Sequence, residues 1–267
     1  MPRRPKQTTQ ADPFDLYQRS VQAPEGDIAF FLRVARRHRL PTPRLLREDF
    51  CGTAHLATTW VGGSRNRRAV GVDLDPVPLA WGRKHNVEAL PPEARRRLRL
   101  IEADVREVRR PRVDIVCALN FSYCIFKRRD ELRDYFRAVF RSLAAGGLLF
   151  LELYGGTDAE IPLEERRPCD GFTYVWDQDV YDPISHDTRC YIHFEFPDGS
   201  RLERAFDYDW RLWSIPEVRE LLAEAGFRAS EVYWEQTDDD GEGTGEFRLT
   251  QSAENQEGWI VYVVGLR

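Results

Sequence analysis

Little in this chain points to disulfides, metals or membranes. It has one methionine, and its five cysteines, Cys51, Cys117, Cys124, Cys169 and Cys190, form no Cys-x-x-Cys pair. That excludes a zinc ribbon and a disulfide frame and leaves free thiols, as expected of a protein in a reducing, cytoplasmic setting. No apolar run approaches the ~18 residues of a membrane span. Residues 1–9 are basic and polar without the apolar centre of a secretory signal, and read as a flexible tail. Positive charge is not in excess: 39 Lys and Arg face 44 Asp and Glu, a net charge of −5. A binder of nucleic acid through a general basic face is therefore not expected. The arginine clusters at 95–99 and 106–112 read as a solvated helix face and a loop.

What is present is a core and a rhythm. With 42% hydrophobic residues the disordered class is excluded. Ile28, Phe31, Leu32 and Ala35 share one face of a helix predicted over 24–39, with Pro24 suited to its first turn. A short apolar stretch then climbs through Leu45-Leu46-Arg47-Glu48-Asp49-Phe50 into the small-residue turn Cys51-Gly52-Thr53-Ala54. A helix follows to residue 61, ended by Gly62-Gly63, and a second strand over 68–73 closes on Asp73. Such a β-loop-α-β unit, with a carboxylate about 20 residues past the glycine, suits a nucleoside: the loop admits the ligand to the backbone and the acid holds ribose hydroxyls. The loop alone fits a nicotinamide dinucleotide equally well. Asp73 also suits a helix cap before Pro76, as Asp104 suits a cap at the end of the third strand.

A helix from Pro76, strands over 98–103 and 113–119, a helix over 131–144 stopped by Gly146-Gly147, and a strand over 148–154 continue the alternation. That order requires parallel strands with right-handed crossovers. From 157 to 210 the pattern changes to period two, with a turn at Pro197-Asp198-Gly199-Ser200, and predicts a small antiparallel β insertion after the fifth strand. A helix over 215–225 ends in Glu224-Ala225-Gly226-Phe227. Strands over 228–235 and 258–265 follow with no helix between them, so the last is antiparallel. The acidic segment 237–257 between them reads as a long loop or loosely paired hairpin. The fold class is α/β, a seven-stranded, mostly parallel sheet, with residues 1–43 as tail and lid helix and 44–267 as the main domain.

From about Leu45 to the end, the sequence resembles the class I S-adenosylmethionine-dependent methyltransferases, which have a Rossmann-like sheet closed by one antiparallel strand. In particular it is similar to a branch whose first motif reads Arg-Glu-Asp-Phe-Cys-Gly-Thr, here residues 47–53. The resemblance implies S-adenosylmethionine as cofactor, with Glu48, Phe50, Cys51, Gly52, Thr53 and Ala54 around its methionine part. Asp73 is implied on the ribose diol with Leu74 beside adenine, Asp104 and Val105 on adenine, and Asn120 where cofactor and substrate meet. One departure is Gly52-Thr53-Ala54 in place of Gly-x-Gly: a methyl at Ala54 resists positive φ.

The implied reaction is in-line methyl transfer to an N or O atom of a small molecule. The cofactor carries the activated carbon, so the protein aligns and dehydrates. Asn120 and Tyr123 are the candidates for orienting the nucleophile, and Glu152 and Tyr154 end the fifth strand near the same crevice. Residues 120–123 read Asn-Phe-Ser-Tyr, not the Asn-Pro-Pro-Tyr of enzymes acting on exocyclic amines. The insertion's Phe172, Tyr174, Trp176, Tyr181, Tyr191, Phe194 and Phe196 either enclose a small acceptor or pack the insertion's own core. Phe14 and Tyr17 are candidate lid residues. His55, His186 and His193 stay outside the site. A nicotinamide-dependent oxidoreductase and a non-catalytic nucleoside-binding protein remain alternatives. No metal is expected.

Overall fold

The computed structural model describes residues 6–239, 241 and 243–267. Residues 1–5, the start of the expected tail, lie outside them. The part of that tail within them is a short 3-10 turn over Gln7–Thr9. It leads to an unexpected helix α1, Pro13–Val21, capped by the Asp12 carboxylate, which accepts the Phe14 and Asp15 amide N–H groups. Helix α2, Pro24–Arg37, follows the predicted amphipathic stripe and buries Ile28, Phe31 and Ala35.

The parallel core alternates as read. Strand β1, Leu45–Asp49, leads into α3, His55–Gly62, and then β2, Arg68–Asp73, with α4 over Pro76–Gly82. A π turn over Arg83–Val87 and the short α5, Pro92–Arg95, reach β3, Leu98–Glu102. Strand β4, Val113–Ala118, is followed by α6, Arg129–Ser142, and β5, Leu143–Gly155. Helix α6 ends earlier than its predicted stop at 144, because β5 starts at Leu143, ahead of the glycine pair.

The insertion holds four strands: β6, Leu163–Cys169; β7, Phe172–Tyr181; β8, Asp187–Glu195; and β9, Arg201–Arg211, paired antiparallel in that order. Helix α7, Ile215–Ala225, opens on a capping box between Ser214 and Glu217 and closes on Gly226 at φ 108°. Strands β10, Ala229–Thr237, β11, Gly243–Leu249, and β12, Trp259–Leu266, complete the chain.

The main sheet runs β11-β10-β12-β5-β4-β1-β2-β3. Strands β1 to β5 are mutually parallel, and β12 is antiparallel to both β5 and β10. The antiparallel closing strand is therefore as expected. The count is eight and not seven, because part of the acidic 237–257 segment folds back on β10 as β11. Helices α6 and α7 pack one face of the sheet around Phe136, Val139 and Leu222. Helices α2 and α3 pack the other around Phe31, Trp60 and Phe150. Strand order reverses between β1 and β4, and the carboxyl ends of the strands there form the crevice such sheets use for ligands.

Candidate active site

Strand β1 sorts its charges by alternation. Arg47 and Asp49 point to the α6 face as a buried pair, Arg47 Nε lying 2.7 Å from Asp49 Oδ1. The Tyr135 hydroxyl donates to Asp49 Oδ2 at 3.0 Å, and Arg47 donates to the Val108 carbonyl at 2.5 Å. Glu48 points to the opposite face, where its carboxylate accepts the Ala57 N–H at 2.9 Å from the first turn of α3. Burial pushes the Glu48 carboxyl up to about 8.

The loop after β1 alternates left-handed residues: Phe50 at φ 56°, Gly52 at φ 50° and Ala54 at φ 56°. Ala54 thus takes the conformation its methyl group disfavours, and it does so fully buried as the residue that starts α3. This corrects the expectation that alanine would resist positive φ here. A Cβ on Gly52 would meet nothing within 4 Å, so the space over that backbone is open. The Gly52 N–H donates to Asp73 Oδ2 at 2.7 Å, and Asp75 N–H donates to Oδ1 at 2.9 Å. The carboxylate closing β2 is therefore locked against the loop, as the 21-residue spacing required. Burial raises its pKa against the pull of these two amides.

Beside Asp73, Leu74 and Val77 are 69% and 61% exposed, an apolar shelf with no protein cover. Asp75 caps α4 through the Val77 N–H at 2.8 Å. Val105 is buried. Asp104 holds Arg106 in a fork, with Nε at 3.0 Å and Nη2 at 2.6 Å, and this pairing keeps its carboxyl below the usual range. A ligand at Asp104 would have to share it with that guanidinium.

Helix α1 covers the loop. Gln18 Nε2 donates to Thr53 Oγ1 at 3.0 Å, and Trp81 Nε1 donates to Asp12 Oδ2 at 2.6 Å. Phe14 packs on Trp81 and Phe206, and Tyr17 on Phe206, so both candidate lid residues tie α1 to the insertion.

At the end of β4, Asn120 and Phe121 sit at φ 51° and 57°, and the Asn120 N–H donates to Glu152 Oε2 at 2.6 Å. Both side the crevice with Leu119. Tyr123 does not: it is fully buried in the α6 core against Phe136, with no hydrogen-bond partner for its hydroxyl. Its place in the 3-10 turn Ser122–Ile125 sends the ring inward, and the reading of Tyr123 as a substrate-facing group is corrected accordingly. Tyr154 packs on Phe121.

A cavity of about 210 Å³ opens beside Glu48, Leu56 and Asn120 and runs under α2 to the β10–β12 hairpin. Four carboxylates line it: Asp27, Glu48, Glu152 and Glu235. Among the described residues, each accepts one hydrogen bond. Tyr262 Oη donates to Asp27 at 2.5 Å, and the Gly245 N–H donates to Glu235 at 2.9 Å. Burial pushes Asp27 up to about 6 and Glu152 up to about 8, and raises Glu235. Phe30, Phe247 and Tyr262 form an aromatic wall, with Tyr262 centred 4.5 Å from Phe30 and 4.6 Å from Phe247.

No insertion residue lines this cavity. Phe172 and Phe194 instead pack with Leu16 of α1, and Tyr191 lies under Arg204. Trp176 packs with Tyr208 and Trp210 on the main core, where Trp210 meets Phe121 edge-on. Of the two readings of these rings, packing holds for Phe172 and Phe194, in a core shared with α1. Sequence reasoning missed Asp27, Glu235, Phe247 and Tyr262. Only Glu152 carried a signal, as a lone acid inside the apolar run Leu-Phe-Leu-Glu-Leu-Tyr.

Residues 49–151 match a family described as "Methyltransferase domain". This stretch is similar to that domain over 49–151. It contains the loop, Asp73, Asp104 and Asn120, and ends just before Glu152. A comparison with curated proteins finds no match. Among solved structures, the chain is similar to an S-adenosylmethionine-dependent methyltransferase from Clostridium acetobutylicum ATCC 824, at 18% identity and TM-score 0.67, over 95% of this chain and 97% of that one. It is also similar to CalS10, an amino pentose methyltransferase from Micromonospora echinaspora, at 18% identity and TM-score 0.63, over 93% and 95% of the two chains. A third is the sugar N-methyltransferase KedS8 from Streptoalloteichus sp ATCC 53650, at 22% identity and TM-score 0.62, over 95% and 92%. These likenesses show the fold, from α1 through the insertion to β12.

Proposed function

We propose that the chain is an S-adenosylmethionine-dependent methyltransferase acting on an N or O atom of a small molecule. The observation that carries this reading is the Gly52–Asp73 lock beside an open backbone and an exposed apolar shelf. Each Asp73 oxygen takes one amide N–H and keeps a second acceptor direction for a ribose hydroxyl. Leu74 and Val77 offer a flat apolar seat for adenine, and Gly52 lets a ligand approach the main chain. The residues therefore fit the cofactor, with Glu48, Phe50, Cys51, Gly52, Thr53 and Ala54 around its methionine end and Asp104 with Val105 at its base edge. When bound, S-adenosylmethionine supplies a methyl carbon already activated by its sulfonium.

What the protein adds is placement. Asn120, fixed through its N–H to Glu152, stands between loop and cavity, where an acceptor would meet the methyl group. Helix α1 covers the loop and excludes water, which strengthens alignment and polar contacts. The solved relatives described as acting on an amino pentose and on a sugar support a small acceptor. Four buried free thiols suit the expected cytoplasmic setting. Among the described residues no helix is long and apolar enough to cross a membrane.

The test is calorimetric binding of S-adenosylmethionine together with transfer of a labelled methyl group across a metabolite panel. Asp73→Ala is expected to weaken cofactor binding at least tenfold, about 1.4 kcal/mol, with an unchanged circular-dichroism spectrum. Wild-type affinity in that variant contradicts the assignment. Cofactor binding without any transfer would favour the non-catalytic reading.

A further inference from the structure

The cavity described above has a composition that the nucleoside site does not explain. Among the described residues, four carboxylates and three aromatic rings line it, and no lysine, arginine or histidine does. Arg33, on the same helix as Asp27 and Phe30, sits outside: its guanidinium lies over Phe30 and donates to the Phe247 carbonyl at 2.9 Å. Glu48 is only 7% exposed and accepts the Ala57 N–H. The Gln22 side-chain carbonyl oxygen, on the same wall, is buried with no partner among the described residues. A buried acceptor without a donor is costly and asks for a donor from outside the protein. The aromatic wall narrows the choice, since carboxylates set beside ring faces are the surroundings that favour an ammonium over a neutral donor.

We propose that this cavity is an ammonium subsite that admits the methyl acceptor as a cationic amine, with Glu152 taking the proton that must leave before transfer. This rests on the methyltransferase reading above and names the acceptor class for it. Glu235 and Asp27, far from the Gly52 loop in sequence and carried by β10 and α2, hold the charge. Glu152 accepts the Asn120 N–H at the end of β4 and so stands beside the crevice.

The step balances as follows. The substrate ammonium gives one proton to the Glu152 carboxylate, leaving a neutral amine and a neutral carboxylic acid. The nitrogen lone pair forms the new bond to the methyl carbon while the carbon–sulfur bond breaks, its electron pair remaining on sulfur. The product is a methylammonium and a neutral thioether, and the Glu152 proton passes to solvent. The elevated carboxyls of Asp27, Glu48, Glu152 and Glu235 suit this role, because a cation entering among them drives them toward the ionised form with release of protons. Tyr262 is the remaining titratable group on the wall, and burial raises its pKa too.

The methionine end of the cofactor carries an ammonium of its own, so the experiment separates the two sources. Full-length protein saturated with S-adenosylhomocysteine is titrated with cyclohexylamine against cyclohexanol and with glucosamine against glucose, in two buffers of different ionisation enthalpy. Expected are binding of at least one amine with net proton release, no binding of its alcohol partner, and transfer of labelled methyl to that amine. Glu235→Gln and Glu152→Gln should each weaken amine binding by roughly tenfold, with S-adenosylhomocysteine affinity within about twofold of wild type.

Equal binding of alcohols, or no amine binding at millimolar concentration, overturns the proposal while leaving the methyltransferase reading in place. Weakened S-adenosylhomocysteine binding in both variants, with amine binding unchanged, assigns the cavity to the methionine end and also overturns it. Failure of the wild type to bind S-adenosylhomocysteine at all sinks the reading beneath. The wild-type comparison of amine with alcohol needs no variant, so it holds even if a glutamine substitution misfolds.

Discussion

Single residues in this chain carry stored costs that can be measured. Ala54 sits fully buried at φ 56°, where an L-residue costs about 1–2 kcal/mol. Glycine there would relieve that cost and lose about 0.4–1 kcal/mol through its more flexible unfolded chain. Ala54→Gly is therefore expected to be neutral to stabilising by up to about 1 kcal/mol in urea unfolding. A clear loss of stability would show that the Ala54 methyl packs better than its conformation strains.

The buried acids make a second prediction. Glu48 and Glu152 hold their protons to about 8 in the folded chain, against 4.5 ordinarily. Between those values the folded state binds more protons than the unfolded one, so the ligand-free protein loses stability as pH rises through that window. Glu152→Gln should flatten the decline and raise the melting temperature above pH 8. A wild-type melting temperature that climbs from pH 5 to 8 would contradict the burial of these carboxyls.

At the scale of elements, the site depends on close approaches that substitution can break. A Cβ on Gly82 would stand 2.2 Å from the Thr53 carbonyl oxygen, and the Asn86 amide donates to that same oxygen at 2.9 Å. The end of α4 thus presses on the loop after β1. Gly82→Ala is expected to displace the loop and weaken S-adenosylhomocysteine binding by at least roughly tenfold, read by calorimetry. Unchanged affinity would mean that the loop gives way freely.

Elements were legible where apolar period and stop signals agreed. Helix α2 has Pro24 and its stripe, α7 ends on Gly226, and the β1-loop-α3-β2 unit has glycine and Asp73 in step. Strand β6 reads Leu-Glu-Glu-Arg-Arg-Pro-Cys and β11 Gly-Thr-Gly-Glu-Phe-Arg-Leu. Both are edge strands without an apolar alternation, and pairing alone makes them strands. Helix α1 hid in a polar segment because its apolar face is completed by the insertion. The proposed nucleoside half of the site could be read because it is local in sequence. The cavity could not, because α2, β5, β10, β11 and β12 each contribute only one to four residues to it.

Across the whole molecule, charge is graded along the sheet. Arg44, Arg68, Arg97 and Arg112 stand at or just before the starts of β1 to β4, while Asp49, Asp73, Asp104 and Glu152 stand at or near strand ends. Such a separation gives the crevice end a negative field that draws cations and fades with salt. For an amine acceptor, kcat/KM is expected to fall severalfold between low salt and about 0.5 M, with little change for a neutral one. Salt-independent rates for a charged acceptor would show that the gradient serves stability alone.

The alternation in β1 carries one more consequence. Its neighbours fix Glu48 opposite Gly71 on one side and Cys117 on the other. A slip by a single residue would turn a guanidinium into the acid-lined hollow and leave a lone glutamate facing a phenol in the far core. Register in that strand therefore decides the sign of the chamber as well as the packing of the sheet, and whatever holds those two ladders in step also holds the chamber's preference for positive guests.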